Sequence, residues 1–95
     1  MAEEPQKVKV NFPEALQGGV YTNHMTVSHT REEFILDFFM LATPVGAVTA
    51  RVITSPGHMK RILKAAQENL GKYENAYGKI KIAEEPKAKM LPQQT

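Results

Sequence analysis

The chain has 95 residues, 42% of them apolar, no cysteine and a formal net charge of +2. That length holds one domain at most, and the missing thiols exclude disulfides, thiolate metal sites and cysteine nucleophiles. The small positive charge permits an anionic partner without demanding one, and no apolar run approaches the ~20 residues needed to span a bilayer.

In chain order, residues 1–7 (MAEEPQK) are acidic and polar, unlike a secretion signal. They read as a mobile tail ahead of one cytoplasmic domain over residues 8–82. Residues 8–12 alternate Val8, Val10 and Phe12 with polar neighbours, the pattern of a short edge strand ended by Pro13. Gln17-Gly18-Gly19 is a turn signal. Residues 20–28 (VYTNHMTVS) are rich in β-branched and aromatic side chains and read as a strand. A polar connection, His29 to Glu33, leads into residues 34–41 (FILDFFML), apolar enough for a strand buried on both faces. Thr43-Pro44-Val45-Gly46 turns the chain into a third strand, residues 48–54 (VTARVIT).

The strands lead into one long helix. Ser55 is a good N-cap, Pro56 falls at the first helical position and Gly78 supplies the C-terminal stop. Between them Met59, Ile62, Leu63, Ala66, Leu70, Tyr73 and Tyr77 recur at helical spacing as an apolar stripe. Gly71 is the weak point, at a cost of about 1 kcal/mol relative to alanine. Lys79-Ile80-Lys81-Ile82 alternates and can add one more short strand, while residues 83–95 lack the apolar content to order and read as a disordered tail. The expected fold is α+β: an antiparallel sheet of three to four strands followed by one long amphipathic helix packed on one face.

Parity then sorts the sheet into faces. With Ser28 opposite Phe34, odd residues share one face and even residues the other. Tyr21, Met25, Val27, Ile35, Phe39, Leu41 and Ile53 then fall on the odd face. Phe34, Leu36, Phe38 and Met40, with Val48, Ala50 and Val52, fall on the even face. One helix shields roughly two strands of one face, so the other remains as an exposed apolar patch, the mark of an interaction surface. Met25, Val27, Ile35, Asp37, Phe39, Leu41 and Arg51 are therefore the expected interface of a homodimer or higher oligomer. Asp37 and Arg51 share parity on adjacent strands, which suits an ion pair that fixes register or a polar spot in that interface.

Chemistry-bearing motifs are sparse. His24 and His29 lie an odd number of positions apart and face opposite ways on a strand, and no carboxylate stands at ligand spacing from a histidine, so no metal or cofactor is expected. No nucleophile elbow, P-loop or dinucleotide fingerprint is present, which makes an enzyme the weaker class. One local rule is broken: Lys60, Arg61 and Lys64 crowd the positive end of the helix dipole. With Ser55, Gly57 and His58 they form a possible anion-binding patch. A solvated basic face, or ion pairing with Glu32, Glu33 or the acidic N-terminus, explains the same residues.

Tyr21-Thr22-Asn23, Glu33 to Phe38 (EFILDF), Ala50 to Lys60 (ARVITSPGHMK) and Asn69 to Ile80 (NLGKYENAYGKI) together carry a resemblance. The chain resembles a small family of uncharacterised prokaryotic proteins defined by a domain of unknown function. The resemblance implies a one-domain cytoplasmic bacterial or archaeal protein and carries no catalytic residues. A looser analogy, in fold alone, is to the SecB-type export chaperones, which also combine a small antiparallel sheet with a long helix. The function expected is a non-enzymatic homo-oligomeric protein-interaction module, chaperone-like in one version, whose partners are itself and an unidentified protein. The alternative is a phosphate or nucleic-acid binder using the basic half of the helix. No membrane partner is expected.

Overall fold

In the computed structural model, which describes residues 4–86 and 89, the elements run α1 (Glu14–Gln17), β1 (His24–His29), β2 (Phe34–Met40), β3 (Ala47–Thr54) and α2 (Pro56–Tyr77). The three strands form one antiparallel sheet in the order β1-β2-β3. The α+β order is as expected, a sheet of three strands followed by one long helix, but α2 is not packed along a sheet face: among the described residues the extensive contacts between elements are those of β1 with β2 and of β2 with β3. Residues 8–12 and 79–82 join no strand. Residues 4–7 are exposed, and the tails expected at residues 1–7 and 83–95 fall partly outside the described residues.

Two turns set the sheet. Between β1 and β2, the Thr30 N–H donates to the Glu33 carbonyl at 2.9 Å, and the Thr30 hydroxyl accepts from the N–H groups of Glu32 and Glu33, both at 3.2 Å. This side chain closes a four-residue connection, a local turn of the kind threonine favours. The last paired residues are therefore His29 and Phe34. Between β2 and β3, Gly46 sits where a Cβ would meet the Leu41 Cδ2 at 2.9 Å and the Met40 carbonyl oxygen at 3.1 Å, so only glycine fits without displacement.

The four-residue turn corrects the expected register. Ser28 pairs with Ile35, not Phe34, so odd residues of β1 share a face with even residues of β2. Met25 and Val27 lie opposite Phe38 and Leu36. They leave the face of Ile35, Asp37 and Phe39, where His24, Thr26 and Ser28 take their place. The β2–β3 register keeps parity from Phe34–Thr54 to Phe38–Ala50, then shifts between Phe38 and Phe39 so that Phe39 faces Val48. The irregularity is a bulge at Thr49, whose hydroxyl donates to the Phe38 carbonyl at 3.2 Å. Val48 thereby moves to the Phe39 side.

The sheet thus has two unlike faces. The Leu36 face is apolar over most of its length, with Met25, Val27, Phe34, Phe38, Ala50 and Val52, and carries the polar His29 and Thr54 on either side of Phe34. The Asp37 face mixes Ile35, Phe39, Val48 and Ile53 with His24, Thr26, Ser28 and Arg51. Leu36, at the middle of the central strand, is 5% exposed and is the one buried apolar side chain among the described residues.

Helix α2 begins and ends where the caps place it. The Ser55 hydroxyl accepts from the His58 N–H at 3.1 Å, Pro56 occupies the first turn, and Gly78 at φ 95° closes the helix with its N–H on the Glu74 carbonyl. The helix runs through Gly71 without a break, about 33 Å long at 1.5 Å per residue. Met59 and Ile62, in the first two turns, are half-buried. Leu63, Leu70 and Tyr73 remain about half exposed, at 54%, 51% and 49%. The rest of the stripe therefore finds no cover within the described chain.

Candidate interaction surface

The clearest polar geometry lies on the Asp37 face. Register sets Asp37 directly opposite Arg51, and the guanidinium donates to both carboxylate oxygens, Nε to Oδ1 at 2.7 Å and Nη2 to Oδ2 at 2.9 Å. This bidentate fork needs the planar donor set of arginine. The hydrogen bonds from Arg51 hold the Asp37 carboxyl below its usual range, with a smaller opposing effect of desolvation, and the same bonds raise Arg51. The Asp37 side chain is 14% exposed and that of Arg51 63%, so the pair lies at the surface of the sheet. Around it Ile35 and Phe39 are half-buried, and Phe39 packs its ring on His24, its cross-strand partner, with centroids 5.6 Å apart.

Of the seven residues expected to share one interface, Ile35, Asp37, Phe39 and Arg51 do share a face. Met25 and Val27 point to the other, each still 45% and 44% exposed. Leu41 lies past the end of β2, where Asn23 clasps it: the Leu41 N–H donates to the Asn23 Oδ1 at 2.8 Å, and the Asn23 Nδ2 donates to the Leu41 carbonyl at 2.9 Å. The Asn23 N–H and the Thr22 hydroxyl both donate to the Phe39 carbonyl, at 3.0 and 2.8 Å. An amide side chain here stands in for a strand residue, which is why the expected strand at residues 20–28 begins only at His24. Strand propensity gave no hint of the clasp, although Tyr21-Thr22-Asn23 stands out in the sequence.

Lys60, Arg61 and Lys64 are exposed on α2, and no ion pair reaches them among the described residues. The neighbouring helix terminus offers little to an anion. Pro56 has no N–H, His58 donates to the Ser55 hydroxyl, and the Met59 N–H is held by the Ser55 carbonyl, which leaves Gly57 as the uncommitted donor of that turn.

Two further features complete the surface. The outer edges of β1 and β3 take no backbone hydrogen bond among the described residues; β1 contains no proline, lysine or bulge to blunt its edge, whereas β3 carries the Thr49 bulge. At the turn end of the sheet, residues 21–23 and 41–43 with Ala83, Glu84 and Pro86 line an open cavity of about 520 Å³. Among the described residues there is no cluster of three or more histidines or carboxylates able to hold a metal, and no helix long and apolar enough to cross a membrane.

No curated protein and no solved structure matches this chain. Residues 1–82 match the family model described as protein of unknown function (DUF3467), and the chain belongs to that family.

Proposed function

We propose that this chain is a non-enzymatic homo-oligomeric interaction module. The observation that carries this reading is uncovered apolar surface. The chain exposes 9509 Å², whereas a folded monomer of this mass exposes about 5,500 Å². Its radius of gyration is 17.2 Å, against about 12 Å for a compact domain of this length. Terminal segments account for part of the excess. The rest lies on the secondary structure itself: Met25, Val27 and Val52 on the Leu36 face, and Leu63, Leu70, Tyr73 and Tyr77 along α2. A stable dimer needs only about 800 Å² from each partner, and copies of the chain offer that area to one another.

Assembly through the apolar surfaces leaves the free edge of β1, which no bulge interrupts. An unblunted edge takes an extended segment of another protein by strand addition, with backbone hydrogen bonds supplying affinity and little sequence preference. That is the chaperone-like version of the module, set in a cytoplasmic bacterial or archaeal context.

Light scattering at micromolar concentration tests the reading: it predicts a dimer or larger species, insensitive to salt. A binder of phosphate or nucleic acid through Lys60, Arg61 and Lys64 behaves otherwise, losing affinity steeply as salt rises. A monomer that binds RNA or a phosphorylated ligand at low salt, and loses it when those three residues become glutamine, replaces the present reading with that one.

A further inference from the structure

The exposed stripe of α2 has a finer pattern than amphipathicity requires. Met59, Leu63, Ala66, Leu70, Tyr73 and Tyr77 are spaced 4-3-4-3-4, the heptad seam of a coiled-coil pair. Ile62, half-buried, lies to one side of that seam. Leu63, Leu70, Tyr73 and Tyr77 are 54%, 51%, 49% and 78% exposed, so the seam is open beyond its first turn. We infer that α2 pairs antiparallel with α2 of a second copy about a two-fold axis level with residue 68. The inference rests on the oligomer reading above and says which surface closes it.

The sequence is self-complementary in that arrangement and in that orientation. Seam residues meet where their numbers sum to 136, which sets Leu70 against Ala66, Leu63 against Tyr73 and Met59 against Tyr77 of the second copy. Each layer sets side chains of unlike size or shape against each other, as interdigitated packing requires. The flank beside the seam carries Lys60, Gln67 and Glu74. In the same geometry Lys60 meets Glu74 of the second copy, Glu74 meets its Lys60, and Gln67 meets Gln67. A parallel pair would instead set this flank against the opposite one, Gln67 beside Ile62 and Glu74 beside Asn69, and would lose both Lys60–Glu74 attractions. The other flank, Ile62, Asn69 and Ala76, carries no charge. Glu74 is half-buried, and its Oε2 accepts the Ile80 N–H at 2.8 Å, which leaves Oε1 for a cation. Gly71, with open space where a Cβ would stand, falls on the outer side and does not interrupt the seam.

Two measurements test the pairing. The chain has no cysteine, so single labels can be placed without removing native thiols. Nitroxides on Gln67→Cys should lie close together across the axis, because position 67 is offset along it by only about 3 Å, whereas labels on Arg61→Cys should be displaced by about 21 Å along the axis as well as sideways. A parallel pair gives no axial displacement at either position. The second measurement is charge exchange read by sedimentation. Lys60→Glu or Glu74→Lys alone should weaken dimerisation roughly tenfold, since each turns both symmetric attractions into repulsions. The double exchange Lys60→Glu with Glu74→Lys should restore it. Close labels at position 67 together with that rescue support the pairing. A persistent dimer with distant labels at position 67, or without rescue, overturns the helix pair and leaves the oligomer reading standing. A monomer at all micromolar concentrations overturns both.

Discussion

Leucine-to-alanine substitution at two positions separates a helix that stands bare from one that is covered. Leu36 is 5% exposed and Leu70 51% exposed in the single chain. Truncating a buried leucine costs about 2–5 kcal/mol through lost transfer energy and the cavity left behind. Leu36→Ala should fall in that range whatever α2 does, and serves as the internal standard. For Leu70 the two cases diverge. A half-exposed leucine on a bare helix contributes at most about half of the 1.5–3 kcal/mol of full burial, and alanine recovers a little of that through helix propensity, so the net cost stays near 1 kcal/mol. A Leu70 packed against Ala66 of a second copy approaches the cost of Leu36→Ala, and it does so twice per dimer. Urea denaturation at several protein concentrations reads the difference, because the midpoint of an obligate dimer rises with concentration and that of a monomer does not. A Leu70→Ala loss near 1 kcal/mol with midpoints independent of concentration would refute the reasoning.

Other substitutions probe single devices. Ser55→Ala removes the hydroxyl that accepts from His58 and should cost about 1 kcal/mol, measured by denaturation. Gly71→Ala places a methyl group in open space on a helical residue and should stabilise by about 0.5–1 kcal/mol; a loss instead would show that the outer face of α2 is covered. Asp37 titrates below its unfolded counterpart because of Arg51. Its contribution is therefore present above the ordinary aspartate pKa and is lost as pH falls through the lowered folded value. Asp37→Asn should flatten the stability profile in that acid window and leave the slope near neutral pH unchanged.

What could be read from the sequence and what could not divide along physical lines. The helix was legible to its ends because its stops are local: a hydroxyl at Ser55, a proline at Pro56 and a glycine at Gly78 each act within one turn. The three strands were legible as apolar runs between turns, and the Asp37–Arg51 pairing followed from parity across the β2–β3 turn. Assignment of residues to faces failed at β1. It depended on whether the connection to β2 has four or five residues, and the Thr30 hydroxyl decides that by closing the shorter turn. A slip of one position turns every side chain of a strand over, so Met25 and Val27 changed sides together. The bulge at Thr49 and the Asn23 clasp escaped for a related reason. Both replace a ladder bond by a side-chain hydrogen bond, and composition carries no record of that choice.

The register also bears on which surface meets a second copy. With β1 in its observed phase, the Asp37 face presents His24, Thr26 and Ser28 beside a bidentate ion pair. Drying that face against a partner would strip water from two charges and three polar side chains that the chain only partly satisfies, and such desolvation commonly exceeds the Coulombic gain. The Leu36 face and the seam of α2 carry less of that penalty: their exposed residues include Met25, Val27, Val52, Leu63, Leu70, Tyr73 and Tyr77, and the polar side chains of that sheet face, His29 and Thr54, stand at its β1–β2 turn end. A two-fold helix pair and an apolar sheet face can therefore become dry together while the Asp37 face stays wet. If so, Phe39→Glu, beside His24 on the wet face, should leave the dimer intact, whereas Leu63→Glu should dissociate it in sedimentation. The reverse outcome would place the contact on the Asp37 face and return the interface to Ile35, Asp37, Phe39 and Arg51.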